Sequence, residues 1–316
     1  MSDESKAPPA VIGLGELLWD EFADPDGGTN RRPGGAPANV AFQCHQLGLT
    51  GRVATRVGRD KDGRDLVEFL TTKGLPTDLI QTDPALPTGT VGVTEGEKGP
   101  EYVIHQPVAW DALEASESIR EAISEAAALC FGSLAQRDIR GRTAIQALVS
   151  GRPQSVLAAF DVNLRQDFYT ADLLRESLKR ANVLKLNDAE VPVLAALLGL
   201  PEEPSEFLEA AIDRWRLDAA CVTRGAEGCL VQKEGERVVQ VPADPVTVAD
   251  TVGAGDAFTA GLIFGLLQKA DAETCGRFAN AVGGLVASRD GAMPDLRNEF
   301  TALREKHFGE QGASAP

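Results

Sequence analysis

Short apolar runs alternate with segments of helical periodicity along most of this 316-residue chain. Apolar strands separated by helices and short connections are typical of a parallel sheet that helices cover on both faces. The alternation therefore predicts an α/β fold. The expected strands are 11–14, 53–57, 129–134, 156–161, 183–186 and 219–223. The expected helices are 36–47, 63–72, 117–127, 138–150, 171–181 and 205–215.

Two segments break this alternation. Residues 16–22 alternate between apolar and polar positions, and residues 91–94 and 102–105 flank a Gly-rich turn as a hairpin would. We therefore expect a small separate β-sheet from about 16–32 and 88–111. Because so small a sheet is marginally stable alone, its apolar face must cover something. We interpret it as a lid rather than a decorative insertion.

The last third of the chain departs from the alternation in another way. Residues 228–232 and 237–241 are expected to form an antiparallel hairpin, and helices are expected near 254–268 and 272–288. The sequence shows neither an internal repeat nor a low-complexity linker. We therefore expect one body over 10–308, with tails at 1–9 and 309–316.

The charge and the cysteines limit the function classes. Lys and Arg total 31 against 47 Asp and Glu, a net charge of −16 that disfavours binding to nucleic acid or to an anionic membrane. The 5 cysteines lack a C-x-x-C motif, as expected of reduced thiols in a cytoplasmic protein. The longest apolar stretch, 257–267, is shorter than the about 20 residues that cross a bilayer.

The most informative segment is Asp250-Thr-Val-Gly-Ala-Gly-Asp256, which runs directly into a helical pattern. Glycines expose backbone amides, and the first amides of a helix are unpaired and electropositive. The amides of Gly253, Ala254, Gly255 and Asp256 therefore predict an anion hole for a phosphate or a transferring phosphoryl group. Asp256 is either the N-cap of the helix or a general base for a substrate hydroxyl, and the two roles are compatible.

A second Gly-rich helix start lies at 33–41. Gly34 and Gly35 permit close backbone approach, and Pro37 suits the first helical turn. Asn39 offers a donor and an acceptor together, which fits a polyol better than a phosphate. An ordinary Gly-rich helix entry is the alternative.

These two segments, in this order, resemble the signatures of the PfkB (ribokinase-like) family of carbohydrate kinases. The resemblance extends from about 10 to 295 and includes Gly15-Glu16, Asp161-Val-Asn-Leu-Arg165 and Asn187-Asp-Ala-Glu190. It implies a three-layer α/β body with a small β-sheet lid. It also implies ATP-dependent phosphorylation of a sugar hydroxyl, with Asp256 as the base.

The resemblance implies further roles for individual residues. Asp20, with Gly34, Gly35, Asn39 and Arg165, would bind the sugar. Arg165 and Lys185 would also supply positive charge near ATP, unless they pair with carboxylates. Asn187 and Glu190 would organise Mg²⁺, partly through water. Asp250 would lie beside a monovalent cation such as K⁺, close to Gly291. The residues implied in nucleotide binding are Thr223, Gly225, Gly228 and Asn280.

Within the family, the resemblance is closest to fructokinases, so fructose is the expected substrate. The alternatives are 2-keto-3-deoxygluconate and ribose, and, in another class, a non-catalytic sensor of sugar or nucleotide. Trp19, His105 and Trp110 either line the sugar site or pack the lid, and Arg31 and Arg32 either contact substrate or face solvent. The outer face of the lid suggests a homodimer.

Overall fold

The structure is a computed structural model that describes residues 7–23, 28–96 and 99–312. Within these ranges, a nine-stranded sheet forms the centre, in the order β13-β12-β11-β10-β9-β8-β1-β4-β5. Neighbours from β11 to β5 pair in parallel, whereas β12 and β13 are antiparallel additions at one edge. The strands are β1 (Ala10–Leu14), β4 (Thr50–Gly58), β5 (Ile80–Asp83), β8 (Ala128–Phe131), β9 (Leu157–Asp161), β10 (Val183–Asn187), β11 (Ala219–Thr223), β12 (Cys229–Lys233) and β13 (Val239–Val241).

Helices cover both faces of this sheet and give the fold three layers. One face packs against α1 (Ala36–Gln46), α8 (Ala254–Leu267), α9 (Ala272–Ala287) and α10 (Arg297–Gly312). The other face packs against α3 (Glu117–Glu125), α4 (Ile139–Ser150), α5 (Ala171–Leu178), α6 (Glu190–Leu198) and α7 (Pro204–Trp215). Helix α2 (Lys61–Thr72) belongs to a third apolar cluster. Among the described residues, no helix has both the length and the apolarity that a membrane span requires.

A second sheet stands apart from the first, and we call it the small sheet. It consists of β2 (Leu18–Ala23), β3 (Thr29–Gly34), β6 (Gly89–Gly96) and β7 (Gly99–Ile104) in the order β3-β2-β6-β7. Strands β2 and β6 pair in parallel, and the two outer pairs are antiparallel. These strands come from the two segments that break the strand–helix alternation. The centre of the predicted Gly-rich turn, at 97–98, and residues 24–27 of the first segment lie outside the described residues.

The predicted α/β architecture with a small separate sheet is confirmed, but three elements were not predicted. Strand β5 has one apolar residue in Ile-Gln-Thr-Asp and lies at the sheet edge, so it lacks an apolar run. Helix α6 is apolar nearly all round and carries Pro192 in its first turn, where proline removes no helical hydrogen bond. Helix α10 is mostly polar, with weak periodicity. All 5 cysteines are buried free thiols, as predicted.

A buried ion pair joins the central sheet to α8. Lys185 Nζ in β10 donates to both carboxylate oxygens of Asp161 in β9, at 3.1 and 3.2 Å. Thr259 of α8 donates its hydroxyl to Asp161 Oδ2 at 2.7 Å. Burial by itself lowers the pKa of Lys185. The negative charges of Asp161, Glu190 and Asp256 together raise it by more than burial lowers it, so the pKa lies above its usual value. Such pairs contribute little net stability because both charges lose hydration.

The pair therefore gives a prediction about stability. Lys185→Met leaves the Asp161 carboxylate buried without a cation, and we expect the free energy of unfolding to fall by about 3–5 kcal/mol. Adding Asp161→Asn removes the unpaired buried charge, and the free energy of unfolding should then return to within about 1 kcal/mol of wild type. Urea unfolding of the single and double variants measures both values. A double variant no more stable than Lys185→Met would contradict the argument.

Candidate active site

A cleft of about 440 Å³ lies where the carboxyl ends of the central parallel strands face the small sheet. The sheet edge contributes residues that follow β1 and β9 or lie at the ends of β10 and β11, and the start of α8 closes one end. The small sheet contributes apolar side chains, among them Leu18, Val91 and Ile104. Ligands commonly bind at this edge of open α/β sheets, because the connecting loops there converge from several strands.

The start of α8 presents backbone amides to this cleft. Its N-cap is Gly253, at φ 76°, and a Cβ there would lie 2.5 Å from that of Ala292. Gly253 and Gly255 line the cleft, and the described residues offer no acceptor to the amides of Gly255 and Asp256. The amide of Ala254 instead donates to Thr251 O at 3.3 Å, and Ala254 does not line the cleft. The available anion-binding amides are thus fewer than the 4 predicted.

Asp256 lies in the first turn of α8 and faces the cleft. Its Oδ2 accepts a hydrogen bond from Asn39 Nδ2 at 2.7 Å. Burial, followed by the negative charge of Asp161, raises the pKa of Asp256 to about 6. The prediction that Asp256 caps the helix is wrong, because Gly253 is the N-cap and no side chain caps this end. A carboxylate that is oriented by a neighbour and titrates near neutrality has the properties of a general base.

The residues assigned to the sugar meet around this carboxylate. Asp20, Gly35, Asn39 and Arg165 all line the cleft, whereas Gly34 lies behind it. A Cβ at Gly34 would come within 2.2 Å of Asp20 Oδ2, so glycine there makes room for Asp20. Burial raises the pKa of Asp20 to about 6, and Arg165 opposes that shift.

Two cations reach the cleft, and they differ in how they are compensated. The Lys185 ammonium is held by Asp161, and a Cβ at Gly255 would lie 3.3 Å from Lys185 Nζ. Arg165 is exposed and donates to Leu164 O at 3.0 Å. Its positive charge opposes the effect of burial, which raises the pKa values of Asp20 and Asp256. Together they provide a local positive field within a protein of net charge −16.

The Asn187–Glu190 pair stabilises the strand end rather than facing the cleft with both members. Glu190 accepts from the amides of Leu164 and Asn187, at 2.7 and 2.8 Å, and Asn187 Oδ1 accepts from the Glu190 amide at 3.0 Å. Asn187 lines the cleft, whereas Glu190 is buried behind it. Oxygen donors suit Mg²⁺, but each already accepts a hydrogen bond, so contact through metal-bound water fits better than direct ligation. The described residues contain no cluster of three or more metal-binding His, Cys, Asp or Glu side chains.

Asp250, the predicted neighbour of a monovalent cation, is already paired with a protein cation. Arg32 of β3 donates to Asp250 Oδ2 at 2.7 Å, and the amide of Gly291 donates to the same oxygen at 3.0 Å. Asp250 Oδ1 accepts from the amide of Val252 at 3.0 Å. A metal cation at this carboxylate would compete with the guanidinium, so K⁺ binding stays a prediction. The contact also joins the small sheet to the loop before α8.

The predicted nucleotide residues are only partly at the cleft. Thr223 lines it, at the end of β11. Gly225 and Gly228 lie beyond it in a turn, and a Cβ at Gly228 would lie 2.0 Å from Val241 O. Asn280 donates its side-chain amide to Val241 O at 3.1 Å, which anchors the strand end. Their roles toward a nucleotide stay predictions.

The aromatic and basic residues left open by the sequence contact other parts of the protein rather than line the cleft. Trp110 is 1% exposed, with the Arg137 guanidinium 4.0 Å from its ring centroid. Trp19 donates to Asp62 O, and His105 Nδ1 lies 2.7 Å from Thr90 Oγ1. Arg31 forms a bidentate pair with Asp62 at 2.8 and 2.9 Å. Trp19, His105, Trp110, Arg31 and Arg32 are not among the residues that line the cleft.

One polar residue in the cleft received no role from the sequence. Glu16 follows β1, lines the cleft and is 2% exposed. Burial, reinforced by the charge of Asp256, raises the pKa of Glu16 to about 7. Its position two residues past a buried strand was the available signal, since such positions open onto the carboxyl edge of a parallel sheet.

The arrangement can deprotonate an alcohol and stabilise negative charge beside it. A base with a raised pKa, unpaired helix amides and two cations border one cleft, and carboxylate and amide groups suited to hydroxyls line it as well. This is the set of groups that phosphoryl transfer to a polyol requires.

Comparison with known proteins supports this chemistry. The chain matches the model of the pfkB family of carbohydrate kinases over residues 21–299. It is 31% identical over 303 residues to an uncharacterized sugar kinase of Pyrococcus horikoshii, covering 92% of this chain and 93% of the relative. It is 30% identical over 297 residues to a fructokinase of Escherichia coli, covering 90% and 94%.

Solved structures of related proteins resemble this chain in fold as well as in sequence. The sugar kinase of Pyrococcus horikoshii in complex with ATP has a TM-score of 0.82 at 29% identity, covering 96% of this chain and 99% of that one. A fructokinase of Vibrio cholerae with bound fructose, ADP and calcium ion has a TM-score of 0.79 at 26% identity, covering 94% and 99%. The site and these similarities together show that this chain belongs to the pfkB family of carbohydrate kinases and has its ribokinase-like fold.

Proposed function

We propose that this enzyme transfers the γ-phosphate of ATP to a hydroxyl of a free sugar, with fructose as the preferred substrate. The observation that carries the proposal is the Asp256 carboxylate, which Asn39 orients at 2.7 Å beside the unpaired amides of α8. The relatives that bind ATP, or fructose and ADP, support the choice of both substrates.

The charges around the cleft favour a neutral sugar. Glu16, Asp20 and Asp256 line it together, and they would repel a phosphate or carboxylate on the sugar. Arg31 and Arg32, the basic pair of the small sheet, are engaged with Asp62 and Asp250. These contacts disfavour a sugar phosphate, and they also disfavour 2-keto-3-deoxygluconate, which carries a carboxylate. Ribose remains as the neutral alternative.

The proposed mechanism uses the residues in the following order. Asp256 accepts the proton of the sugar hydroxyl. The hydroxyl oxygen forms a bond to the γ-phosphorus as the bond between this phosphorus and ADP breaks. The amides of Gly255 and Asp256 stabilise the charge on the transferring group, with Lys185 beside them. The small sheet acts as a lid that excludes water. Mg²⁺, when bound, would neutralise phosphate charge near Asn187, with Glu190 behind it.

Three further expectations belong to the proposal. Mg²⁺ as the metal and the cytoplasm as the location stay predictions, as does pairing of two chains through the small sheet. Val103 in the edge strand β7 is 51% exposed, which is consistent with such pairing.

A sugar panel tests the substrate. Release of ADP should be measured with fructose, ribose, 2-keto-3-deoxygluconate and fructose 6-phosphate under identical conditions. We expect kcat/KM for fructose to exceed each of the others by at least about tenfold, or about 1.4 kcal/mol in transition-state binding. Preference for an anionic sugar would overturn the substrate assignment. Saturable sugar binding without turnover would instead support a non-catalytic sensor.

Replacement of the base tests the mechanism. Asp256→Asn keeps the shape of the side chain but cannot accept the proton, and we expect kcat to fall by about 10²–10⁴-fold. The dissociation constant for sugar, measured by calorimetry, should change little. The matched control is Asp20→Asn, which should raise KM for sugar with a smaller effect on kcat. Near wild-type kcat in Asp256→Asn would remove Asp256 from its proposed role.

The pKa of Asp256 predicts the pH dependence. The base works only when ionised, so kcat/KM should fall as the pH drops through about 6, the value to which burial and Asp161 raise this group. Glu16, Asp20, Lys185 and Arg165 are the other charged groups around it. Steady-state rates across this range measure the effect, with Asp256→Asn as the control that should lack this limb. A flat profile well below pH 6 would contradict the assignment.

A further inference from the structure

Two buried acceptor atoms in the cleft have no donor among the described residues. One is Oε2 of Glu16, and the other is Oδ1 of Asn39. Both side chains line the cleft, and both are more than nine-tenths buried, at 2% and 4% exposed. Most buried polar atoms have a hydrogen-bond partner, so these two atoms without one in the same cleft require an explanation.

Glu16 lies where the end of β1 meets the start of α1. The nearby backbone amides of Glu16 and Ala36 act to lower the pKa of its carboxyl group, which favours the ionised form. Gly35 leaves room for this junction, since a Cβ there would lie 2.4 Å from Glu16 O. The carboxyl group therefore lies where β1 and α1 approach each other, and its Oε2 has no donor among the described residues.

The chemistry of the missing donor follows from the local charges. Asp256 and Asp20 share the cleft, so an anionic ligand group beside Glu16 would be repelled. Burial raises the pKa of Glu16 to about 7, so both protonation states are populated near neutrality. A hydroxyl can donate to the ionised form and accept from the protonated form, whereas an ammonium group can only donate. Adjacent hydroxyls of a polyol would satisfy Glu16 and Asn39 together.

We propose that Glu16 is a specificity-determining residue whose Oε2 binds a sugar hydroxyl other than the one that is phosphorylated. It would act beside Asn39 and select sugars that carry a hydroxyl at that position. This inference rests on the proposed function, because it takes the cleft as the sugar site. It adds a contact that neither Asp20 nor Asp256 makes.

A cycle of variants and deoxy sugars tests the contact. Wild type, Glu16→Ala and Glu16→Gln are compared for binding of the best sugar from the panel and its monodeoxy analogues, by calorimetry without ATP. We expect Glu16→Ala to weaken binding of the parent sugar by about 10- to 100-fold. For one deoxy analogue, and not for the others, wild type and Glu16→Ala should bind about equally.

Controls separate this contact from a structural role. Glu21→Gln makes the same chemical change at a residue that pairs with Arg31 outside the cleft, and it should leave sugar affinity unchanged. Glu16→Gln keeps the side-chain shape, so it carries the test if the alanine variant does not fold, with a smaller loss for the same analogue. Thermal unfolding establishes that each variant is folded.

The outcomes distinguish the two proposals. If wild type phosphorylates a sugar but Glu16→Ala weakens all analogues by one common factor, or none, the assignment of Glu16 is overturned and the kinase proposal stands. If wild type neither binds nor phosphorylates any sugar of the panel, both proposals fail. Loss of discrimination against a single deoxy analogue supports the contact.

Discussion

The hydrogen bond from Asn39 to Asp256 is the interaction on which the site depends, because it joins two Gly-rich helix starts that are 217 positions apart. Helix α1 follows β1 and two strands of the small sheet, β2 and β3, whereas α8 follows the antiparallel edge of the central sheet. Both helices lie on the same face, so their N-termini meet at the carboxyl edge of the strands. Close packing makes the meeting specific, since side chains at Gly35 or Gly253 would clash with backbone or with Ala292.

The electrostatics of the cleft arise from burial within an acidic protein. Three carboxyl groups line one small space, and burial raises the pKa values of Glu16, Asp20 and Asp256 to about 7, 6 and 6. Positive charge nearby is largely engaged with carboxylates, as Lys185 is with Asp161 and Arg32 with Asp250. Arg165 is the exposed cation at the rim of the cleft. In the proposed function, the neutral polyol binds beside the carboxyl groups and the phosphates of ATP bind near the cations.

Ion pairs also connect the small sheet to the body. Arg32 bonds Asp250 immediately before the Gly-rich turn that starts α8, and Arg31 bonds Asp62 in the first turn of α2. Both arginines stand on β3, so one strand contacts the body on two sides. If the small sheet acts as the proposed lid, Arg32 ties its position to the loop that precedes α8 and Arg31 ties it to α2.

Much of the architecture follows from patterns that act locally. Alternating apolar runs and helical segments predict the parallel sheet, and Gly-rich helix starts predict exposed amides, because strand propensity and helix termini depend on neighbouring residues. Polar β5 and apolar α6 escaped prediction because contacts distant in sequence stabilise them.

The candidate site also has features that local sequence predicts and features that depend on contacts between distant segments. Residue type and spacing are enough to place Asp256 and Asn39 each near a helix start. Folding brings the two into contact, and it also pairs Arg32 with Asp250, bonds Glu190 and Asn280 to backbone groups and brings Glu16 into the cleft. Pairing and burial depend on which distant segments approach one another, so neither can be read from residue type or spacing.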